Sequence, residues 1–591
     1  MGEEAIKERL KAYQDELFKK TKMISKFRNA VNALGKMIQE KINSINYVPY
    51  LVISHKTSVS TDSTKNYNWN ETWLEGAEKG TVRGLVVNRG GAPALKVLLN
   101  VMINSELRCT YTIEKIAPGR KIPFVVSYFR DDVSEGIVSW SANVTYFDES
   151  NDKSRTSNGY GEIAVTFSDE EWGIEHVGRE KFNTQFAAEG EEFCGRTNEL
   201  LKLNNLYSVN YPAERYPSLL VTGLRRAGKS SVIKYFKEVL RERTNLAPIF
   251  IDAQGIAGDI TNAFFNLVFN ELYRYYRAEM NGFVEFKKRW EDISKTKDWI
   301  GQLPAYFIEL SELLGNRKVV FVLDEMENVF YANHFESAQS EEQFFGMIRS
   351  IIQNYQEYVS FIFCGSDKLL TSCLEQKRES QMFQVLQRIY VGRMNINDIR
   401  DMFEKYNSVY DVKFGDDAID TIMYYTNGLI WYTKVIAYNI LDRIVDQEHI
   451  IRDEIHASDV DTIVELLING DLGSELIDLL DNNFGAKRKA IIRAMARATK
   501  NPNDSVSIDM ILAELTKLNY VDNETGEVLG AISDDDISKN LSVLEKMDFI
   551  EKDSHKEKSY RFTTELYRLL MLNERKIDKF VVVMGGEKNA R

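Results

Sequence analysis

The chain has 591 residues, which at ~100 to 200 residues per domain corresponds to roughly three to five domains and excludes a single hydrophobic core. Acidic residues outnumber basic ones by 88 to 75, and the formal net charge of −13 argues against a surface coated with basic charge for indiscriminate nucleic-acid or membrane binding. Hydrophobic residues make up 44% of the sequence and aromatic residues 11%, which excludes a largely disordered chain.

The cysteines and the hydropathy pattern indicate a cytoplasmic protein. Cys109, Cys194, Cys364 and Cys373 are too few and too scattered for a disulfide framework or a zinc knuckle. No apolar run approaches the ~18 to 20 residues of a membrane span, and the first residues, MGEEAIKERLKAYQDELFKK, are charged throughout, unlike a secretory signal. We therefore expect neither export nor membrane insertion.

Residues 1–46 are predicted to form one long amphipathic helix. Between Ile6 and Lys41 mainly apolar residues recur at alternating spacings of four and three, the pattern of a heptad seam. The region around Pro49 ends this helix. The seam fits packing against the same protein, a coiled coil with a second copy, or another partner, and in each case the helix is a docking element.

Residues 47–169 are predicted to form an all-β domain, because short strands alternate with turn residues. The turn at 88–91 followed by 94–97, and the turn at 117–119 before another strand, resemble immunoglobulin-like adhesion modules of prokaryotic proteins. This segment lacks a His, Asp and Glu cluster with metal-ligand spacing, so recognition or scaffolding is the expected role. The predicted strands are VPYLVIS, TVRGLVV, ALKVLLNVMI, IPFVVSYF and GIVSWSANVTYF.

A polar linker at 170–192 leads to a predicted α/β domain at 193–396, in which apolar strands are separated by helical stretches. Such strands are typical of a parallel sheet that is buried on both faces. A helical lid is expected at 397–480. The predicted strands of the sheet are residues 218–223, 247–253, 318–325, 359–365 and 388–392.

The first of these strands runs into the sequence GLRRAGKSS, and an amphipathic helix follows, which is the context that the Walker A motif requires. Glycines let backbone N–H groups wrap phosphates, Lys229 reaches the β and γ phosphates, and the Ser230 hydroxyl ligates Mg²⁺. The sequence therefore predicts a site for ATP and Mg²⁺. The residues predicted to contact the nucleotide here are Gly223, Arg225, Arg226, Ala227, Gly228, Lys229, Ser230 and Ser231.

The strand VVFVLDE ends in two adjacent carboxylates that diverge at a strand end. Asp324 is predicted to join the magnesium shell, and Glu325 is predicted to be the general base for ATP hydrolysis. Glu327 is a weaker candidate for that base.

Two further catalytic candidates follow along the chain. Ser366 lies after the next buried strand, where its hydroxyl is predicted to sense the γ phosphate, with a helix N-cap as the alternative. Arg388 and Arg393 flank the last strand of the sheet, and Arg388 is the preferred arginine finger for a neighbouring subunit's site. A surface salt bridge is the alternative for Arg388.

The segment FCGRTNEL at 193–200, together with the phosphate loop, resembles the STAND and archaeal-type ATPases of the AAA+ superfamily. The resemblance extends over 193–480. It implies nucleotide contacts from Gly195 and Arg196, because the lead-in segment of that family lies along the adenine. That family's lid carries a G-x-P element, and Ile430 stands here in place of its proline.

Residues 481–580 resemble a winged helix, with a tail at 581–591. The third helix would face DNA, but Asp534, Asp535 and Asp536 lie at its start, and residues 481–591 have equal numbers of basic and acidic residues. Protein packing is therefore favoured over DNA contact, and the resemblance implies that this unit holds the ATPase closed. The residues that would contact DNA are Ser538, Lys539, Ser542, Lys546, Lys552, Lys556, Lys558 and Arg561.

Together these features favour an ATP-hydrolysing STAND-type switch that forms a homo-oligomer and contacts a protein partner through the N-terminal helix or the β domain. By analogy with that family, prokaryotic signalling or antiphage defence is its expected setting. The alternative is a DNA-handling AAA+ ATPase, similar to origin-recognition or transposition accessory ATPases. A binding scaffold with a silent ATPase core is disfavoured, because Lys229, Ser230, Asp324 and Glu325 are all present.

Overall fold

A computed structural model describes the parts of the chain given at the end of this paragraph. The predicted helix at 1–46, Arg225, Glu327 and Ser366 lie outside them. The described residues are 48–55, 67–74, 76–148, 151–168, 177–182, 184, 187–188, 190, 193–208, 216–224, 226–253, 260–276, 282–296, 298–326, 338–365, 384–443, 449–470, 486–499, 504–517, 520–522, 533–546, 549–553, 556, 558–573 and 581–583.

The strands are numbered in chain order. Their bounds are β1 Leu51–Ser54, β2 Trp69–Trp73, β3 Lys79–Asn88, β4 Ala94–Ile103, β5 Glu106–Ile116, β6 Lys121–Phe129, β7 Ile137–Asp148, β8 Asn151–Phe167, β9 Leu219–Gly223, β10 Leu246–Asp252, β11 Lys318–Asp324, β12 Val359–Cys364, β13 Gln387–Val391, β14 Lys413–Phe414, β15 Ile450–Arg452, β16 Glu454–Ile455, β17 Val506–Ser507, β18 Tyr520–Asp522, β19 Ile550–Lys552, β20 Ser559–Phe562 and β21 Val581–Val583.

The α-helices are numbered in the same way. Their bounds are α1 Thr197–Leu206, α2 Lys229–Arg241, α3 Ile260–Tyr276, α4 Phe283–Ser294, α5 Trp299–Leu313, α6 Ala338–Asn354, α7 Ile396–Asn407, α8 Asp416–Thr426, α9 Ile430–Arg443, α10 Ala457–Asn469, α11 Ala486–Ala498, α12 Ile508–Lys517, α13 Asp534–Lys546 and α14 Glu565–Leu572.

Strands β1 to β8 form two sheets around one core, which we call the β domain. One sheet has the order β1-β3-β6, and the other has the order β15-β2-β8-β7-β4-β5. Trp73, Trp140, Tyr128 and Phe124 are buried between them. Alternating apolar residues on β4 and β7 point into this core, since successive side chains of a strand face opposite sides of a sheet.

The predicted parallel α/β sheet is confirmed. Its order is β10-β11-β12-β9-β13, and every pair of neighbours is parallel. All residues of β9, β11 and β12 are buried, which explains their continuous apolar sequences. Because the strands are parallel, their carboxyl ends meet at one edge, and the ends of β9 and β11 carry the predicted phosphate and magnesium residues.

In the region predicted as a helical lid, the described residues form helices α7 to α10 and also the short strands β14, β15 and β16, which the prediction did not include. Helices α7, α8, α9 and α10 share one core, and the short strands β14 and β16 pair between them. Strand β15 leaves the lid and adds to the edge of the β domain, beside β2. Strand β15 has three residues, too few to show an alternation of apolar and polar side chains in the sequence. It pairs with β2, which lies hundreds of residues earlier in the chain.

The C-terminal unit comprises α11, α12 and α13 and an antiparallel sheet of order β17-β20-β19, with α14 packed against α11. This unit shares the core of the lid. Strand β18, between α12 and α13, pairs with β21, so Val581–Val583 of the predicted tail form a strand. Within the described parts of the chain, each helix is too short or too polar to cross a membrane.

Candidate functional site

The phosphate loop lies between β9 and α2, and three of its described residues have positive φ. These are Gly223 at φ +154°, Arg226 at φ +63° and Gly228 at φ +84°. A Cβ atom on Gly223 would lie 1.9 Å from the carbonyl oxygen of Val391 on β13. Glycine is therefore required at position 223 by both the backbone conformation and the close approach of β13.

We expect Gly223→Ala to abolish nucleotide binding and to lower the free energy of unfolding by more than about 1 kcal/mol, because the added methyl group must push β13 away from the loop. Gly346→Ala is the matched control. Gly346 lies in α6 with open space around its Cβ position, so alanine is expected to stabilise that helix by roughly 0.5 to 1 kcal/mol. Calorimetric titration with ATP and thermal unfolding of both variants would check this, and equal behaviour would contradict it.

Lys229, the first residue of α2, is turned back into the loop. Its ammonium group donates to the carbonyl oxygens of Leu224 at 3.0 Å and Gly223 at 3.3 Å. These hydrogen bonds hold the cation at the mouth of the loop, where the N–H groups of the first turn of α2 also point. The loop thus offers positive charge and backbone donors to an anion.

The two serines after Lys229 differ in their surroundings. Ser230 is half-buried in the first turn of α2. The Ser231 hydroxyl accepts a hydrogen bond from the backbone N–H of Ala188 at 3.0 Å, so it ties α2 to the segment that precedes the α/β domain. Contact of Ser231 with a nucleotide stays a prediction.

The two adjacent carboxylates end β11 in different environments. Asp324 is 6% exposed, and its Oδ1 accepts a hydrogen bond of 3.0 Å from the backbone N–H of Glu325. Glu325 has φ +53°, so the chain turns out of the strand at this residue and the two side chains separate. Because β12 lies between β11 and β9, Asp324 is roughly 10 Å from the strand of the phosphate loop, a gap that phosphates and a metal ion can span.

One acidic residue at this edge was missed by sequence reasoning. Asp252 ends β10 in register with Asp324, so the two carboxylates project from neighbouring strands to the same side of the sheet. The predicted strand 247–253 includes Asp252, but no functional role was assigned to its carboxylate. Its position beside Asp324 depends on strand order, which the sequence alone does not give.

Arg196 supports the phosphate loop from inside the protein. Its guanidinium group is 2% exposed, forms an ion pair with Glu199 at 3.1 Å, and donates to the carbonyl oxygen of Ala227 in the loop. Burial lowers the pKa of Arg196, and the Glu199 carboxylate opposes that shift. In the structure, Arg196 contacts the backbone of the loop. Its predicted contact with the nucleotide stays a prediction.

Gly195 lies where the lead-in segment meets the lid. It has φ +69°, and a Cβ atom here would lie 2.5 Å from the methyl group of Met394 and 2.9 Å from the Asp398 Cβ. Asp398 lies in the first turn of α7, and burial raises the pKa of its carboxyl. The predicted nucleotide contact of Gly195 is not tested by this packing.

The lid covers the phosphate loop through the start of α9. The Arg226 guanidinium lies 3.7 Å from the centroid of the Trp431 ring, and a Cβ on Gly228 would lie 3.5 Å from Ile430 Cγ2. The Met394 backbone N–H donates to the Gly428 carbonyl oxygen at 2.8 Å, which fixes the turn before α9. Ile430 therefore reaches the loop although it replaces the proline expected from the resemblance.

The two arginine-finger candidates have different surroundings. Arg388 is exposed on the edge strand β13, in register with Leu220, about 10 Å along the sheet from the phosphate loop of its own chain. Arg393 is mostly buried and lies 3.8 Å from the Glu551 carboxylate of the C-terminal unit. Arg388 is thus the more accessible of the two, and its action in a neighbouring site stays a prediction.

Within the described part of the chain, one group of His, Cys, Asp and Glu side chains has spacings that could hold a metal ion. It comprises Asp417, Glu454 and His456, in the lid and away from the phosphate loop. Asp417 already accepts from the Ala457 N–H at 2.8 Å and lies 3.2 Å from His456 Nδ1. Asp417 and His456 lie at the starts of α8 and α10, and helix N-termini disfavour cations.

The chain resembles several solved structures at low sequence identity. No protein-family model and no curated protein matches the chain. The Aeropyrum pernix ORC2 protein, solved in ADPNP and ADP complexes, aligns 98% of its chain with 67% of this one, at 11% identity and a TM-score of 0.44. The Thermotoga maritima RuvB Holliday junction branch migration motor aligns 96% of its chain with 64% of this one, at 14% identity and a TM-score of 0.33. Similarity at this level carries no functional inference of its own.

Proposed function

We propose that the chain binds ATP with Mg²⁺ and hydrolyses it slowly, as a nucleotide-operated switch of the STAND type within the AAA+ superfamily. The observation that carries this proposal is the convergence of Lys229, the glycine loop and the Asp324-Glu325 pair at the carboxyl edge of one parallel sheet. The lid, which touches the loop through Trp431, supplies an element that a bound nucleotide can displace.

In this proposal each residue has a defined chemical role. Lys229 would leave its two carbonyl partners to neutralise the β and γ phosphates, and Arg226, in the same loop, would share that task. Ser230 and Asp324 would hold Mg²⁺, which offsets phosphate charge. Glu325 takes a proton from the attacking water, and Arg388 of a neighbouring copy would complete the charge compensation.

The proposed family rests on the whole arrangement of the units. The loop strand β9 lies between β12 and β13, a helical lid follows the sheet, and a three-helix unit with a small sheet follows the lid. We interpret that last unit as a winged helix and the β domain as an immunoglobulin-like module that contacts a protein partner.

The DNA-handling alternative is disfavoured by the charges of the C-terminal unit. Lys552 forms an ion pair with Glu545 at 3.1 Å, and Arg561 forms one with Glu551 at 2.6 Å. Lys487 lies 3.5 Å from Asp536, at the acidic start of α13. Basic side chains that are already paired release fewer counterions from DNA, so this surface is poorly suited to phosphate contacts.

The proposal predicts ATP-dependent assembly that becomes trapped when hydrolysis is blocked. We expect Glu325→Gln to bind ATP without turning it over and to accumulate as a defined oligomer, because the base is lost while the phosphate loop is intact. Light scattering on the wild type and this variant, with and without ATP and Mg²⁺, measures the mass. A parallel run with duplex DNA tests the alternative.

The outcomes of this experiment separate the two functions. A larger mass with ATP alone supports the switch, and Glu325→Gln should keep that mass after the wild type has exhausted its ATP. A mass that ATP leaves unchanged but DNA raises would overturn the switch and assign the chain to the DNA-handling class. A salt-sensitive DNA complex would point in the same direction.

A further inference from the structure

The lid and the β domain share a sheet. Strand β15 of the lid pairs antiparallel with β2, with Ile450 opposite Trp73 and Arg452 opposite Glu71. The pairing continues beyond β15, where the Leu74 N–H donates to the His449 carbonyl oxygen at 2.9 Å. Strand β15 of the lid therefore forms backbone hydrogen bonds with β2, which would otherwise be the edge strand of its sheet.

A buried group of charges lies directly beneath this added strand. The Arg452 guanidinium lies 3.1 Å from Glu71 Oε1 and 3.0 Å from Asp459 Oδ1, and Arg83 of the β domain lies 3.1 Å from the same Asp459 oxygen. All four side chains are at most 7% exposed. Two residues of the β domain and two of the lid thus form one alternating set of charges, which we call the joint.

The joint resists separation for electrostatic reasons. Burial alone would raise the pKa of Asp459, but Arg452 and Arg83 bring it down to about 2, so the carboxylate is charged at neutral pH. A shift of the lid against the β domain that separates these partners without admitting water would leave the charges uncompensated in the interior. Glu71 is held in addition by the indole N–H groups of Trp69 at 2.8 Å and Trp73 at 3.2 Å.

Apolar and polar contacts extend the joint along α10. Ala457 packs with Leu85 and Val87 of β3 in a small buried cluster. The Ser458 backbone N–H donates to the His55 carbonyl oxygen at 3.0 Å. Strand pairing, buried charges and helix packing therefore connect the same two units at three adjacent places.

The other side of the lid contacts the phosphate loop. Trp431 lies against Arg226, and Gly195 of the lead-in segment packs against Met394 and Asp398 at the start of the lid. Helices α7 to α10 share one core, so a displacement of α9 is expected to reach α10. The lid is thus in contact with the nucleotide site at one side and joined to the β domain at the other.

We propose that the β domain and the lid move as one body when nucleotide binds, so that the phosphate loop sets the position of the β domain relative to the parallel sheet. This inference rests on the proposed ATP site. Because linkage is reciprocal, a protein partner that binds the β domain in one of its positions changes the ATP affinity by the same factor that ATP changes the partner's affinity.

Distances between spin labels test this motion in the full chain. Exposed residues provide one label site in each unit: Leu107 in the β domain, Val409 in the lid and Val284 on the α/β domain. The labels are placed in pairs on cysteines in a Glu325→Gln background with the four native cysteines replaced. Pulsed electron resonance then compares each pair in ADP and in ATP with Mg²⁺.

The expected result is a shift of the 107–284 distance by more than the width of its distribution, while the 107–409 distance stays unchanged. The inference would be overturned if the 107–409 distance shifted as much as the 107–284 distance. It would also be overturned if both distances were the same in ADP and in ATP with Mg²⁺. Binding of a fluorescent ATP analogue to the same labelled samples is measured in parallel. Absence of that binding refutes the proposed function, whereas binding without the expected distance change refutes only the motion.

Discussion

Replacing Lys229 with alanine is expected to abolish high-affinity ATP binding and to lower turnover by roughly 100- to 1,000-fold or more. The ammonium group lies inside the loop, 3.0 Å from the Leu224 carbonyl oxygen, and is the cation that the first turn of α2 presents to an anion. Alanine cannot replace this charge or its hydrogen bonds. Binding of a fluorescent ATP analogue and release of phosphate measure the two effects.

Lys234→Ala is the matched control, because it removes the same charge from the same helix. The Lys234 ammonium lies 5.6 Å from the centroid of the Phe250 ring rather than in the loop, so this variant should keep ATP affinity and turnover within about twofold of the wild type. Equal losses in both variants would show that the positive charge of α2, and not the position of Lys229, attracts the nucleotide.

The loop between β9 and α2 could be placed from sequence, because the strand, the glycine-rich run and the helix are contiguous. The loop and its flanking elements occupy one short run, and the predicted strand at 318–325 differs by one residue from Lys318–Asp324. Continuous apolar strands between helices dictate burial on both faces of a parallel sheet. Local sequence patterns thus specified the strands of the sheet, whereas the order of the strands, which brings Asp252 beside Asp324, was not specified.

Strands β2, β5 and β8 were absent from the predicted β domain, for a physical reason. β5 alternates exposed and half-buried residues at the edge of a sheet, and β8 is rich in Ser, Thr, Asn and Gly. These two strands contain few apolar side chains, so pairing with neighbouring strands contributes much of what holds them in place. The five residues of β2 are too few for their alternation to stand out, although Trp69 and Trp73 are buried in the core. The sequences of these strands therefore resemble loops until the partner strands are known.

The joint could not be predicted because its members are far apart in sequence. Glu71 and Arg452 are separated by 381 residues, and each one alone resembles an ordinary surface charge. The buried position of Arg196 was missed for a similar reason, since beyond its neighbour Glu199 it contacts the backbone of Ala227, 31 residues away in sequence. Buried ion pairs of this kind are determined by the packing of whole units, which no local pattern encodes.

Removal of one cation from the joint leaves buried carboxylates uncompensated, so Arg452→Met is expected to lower the free energy of unfolding of the β domain by about 3 to 5 kcal/mol. The substitution keeps much of the side-chain volume but leaves the buried Glu71 carboxylate without its cation and removes one of two cations from Asp459. Trp69 and Trp73 both donate to Glu71, so tryptophan fluorescence during urea unfolding reports on this region.

Arg400→Met is the control within the same lid. Arg400 pairs with Asp416 and Asp420, whose side chains are exposed, and ion pairs of that kind are worth at most about 1 kcal/mol. The same change of arginine to methionine should therefore have little effect at position 400 and a large effect at position 452. If both variants unfold at the same urea concentration as the wild type, the buried charges do not hold the lid and the β domain together. The lid would then lack the contacts through which a bound nucleotide is proposed to move the β domain.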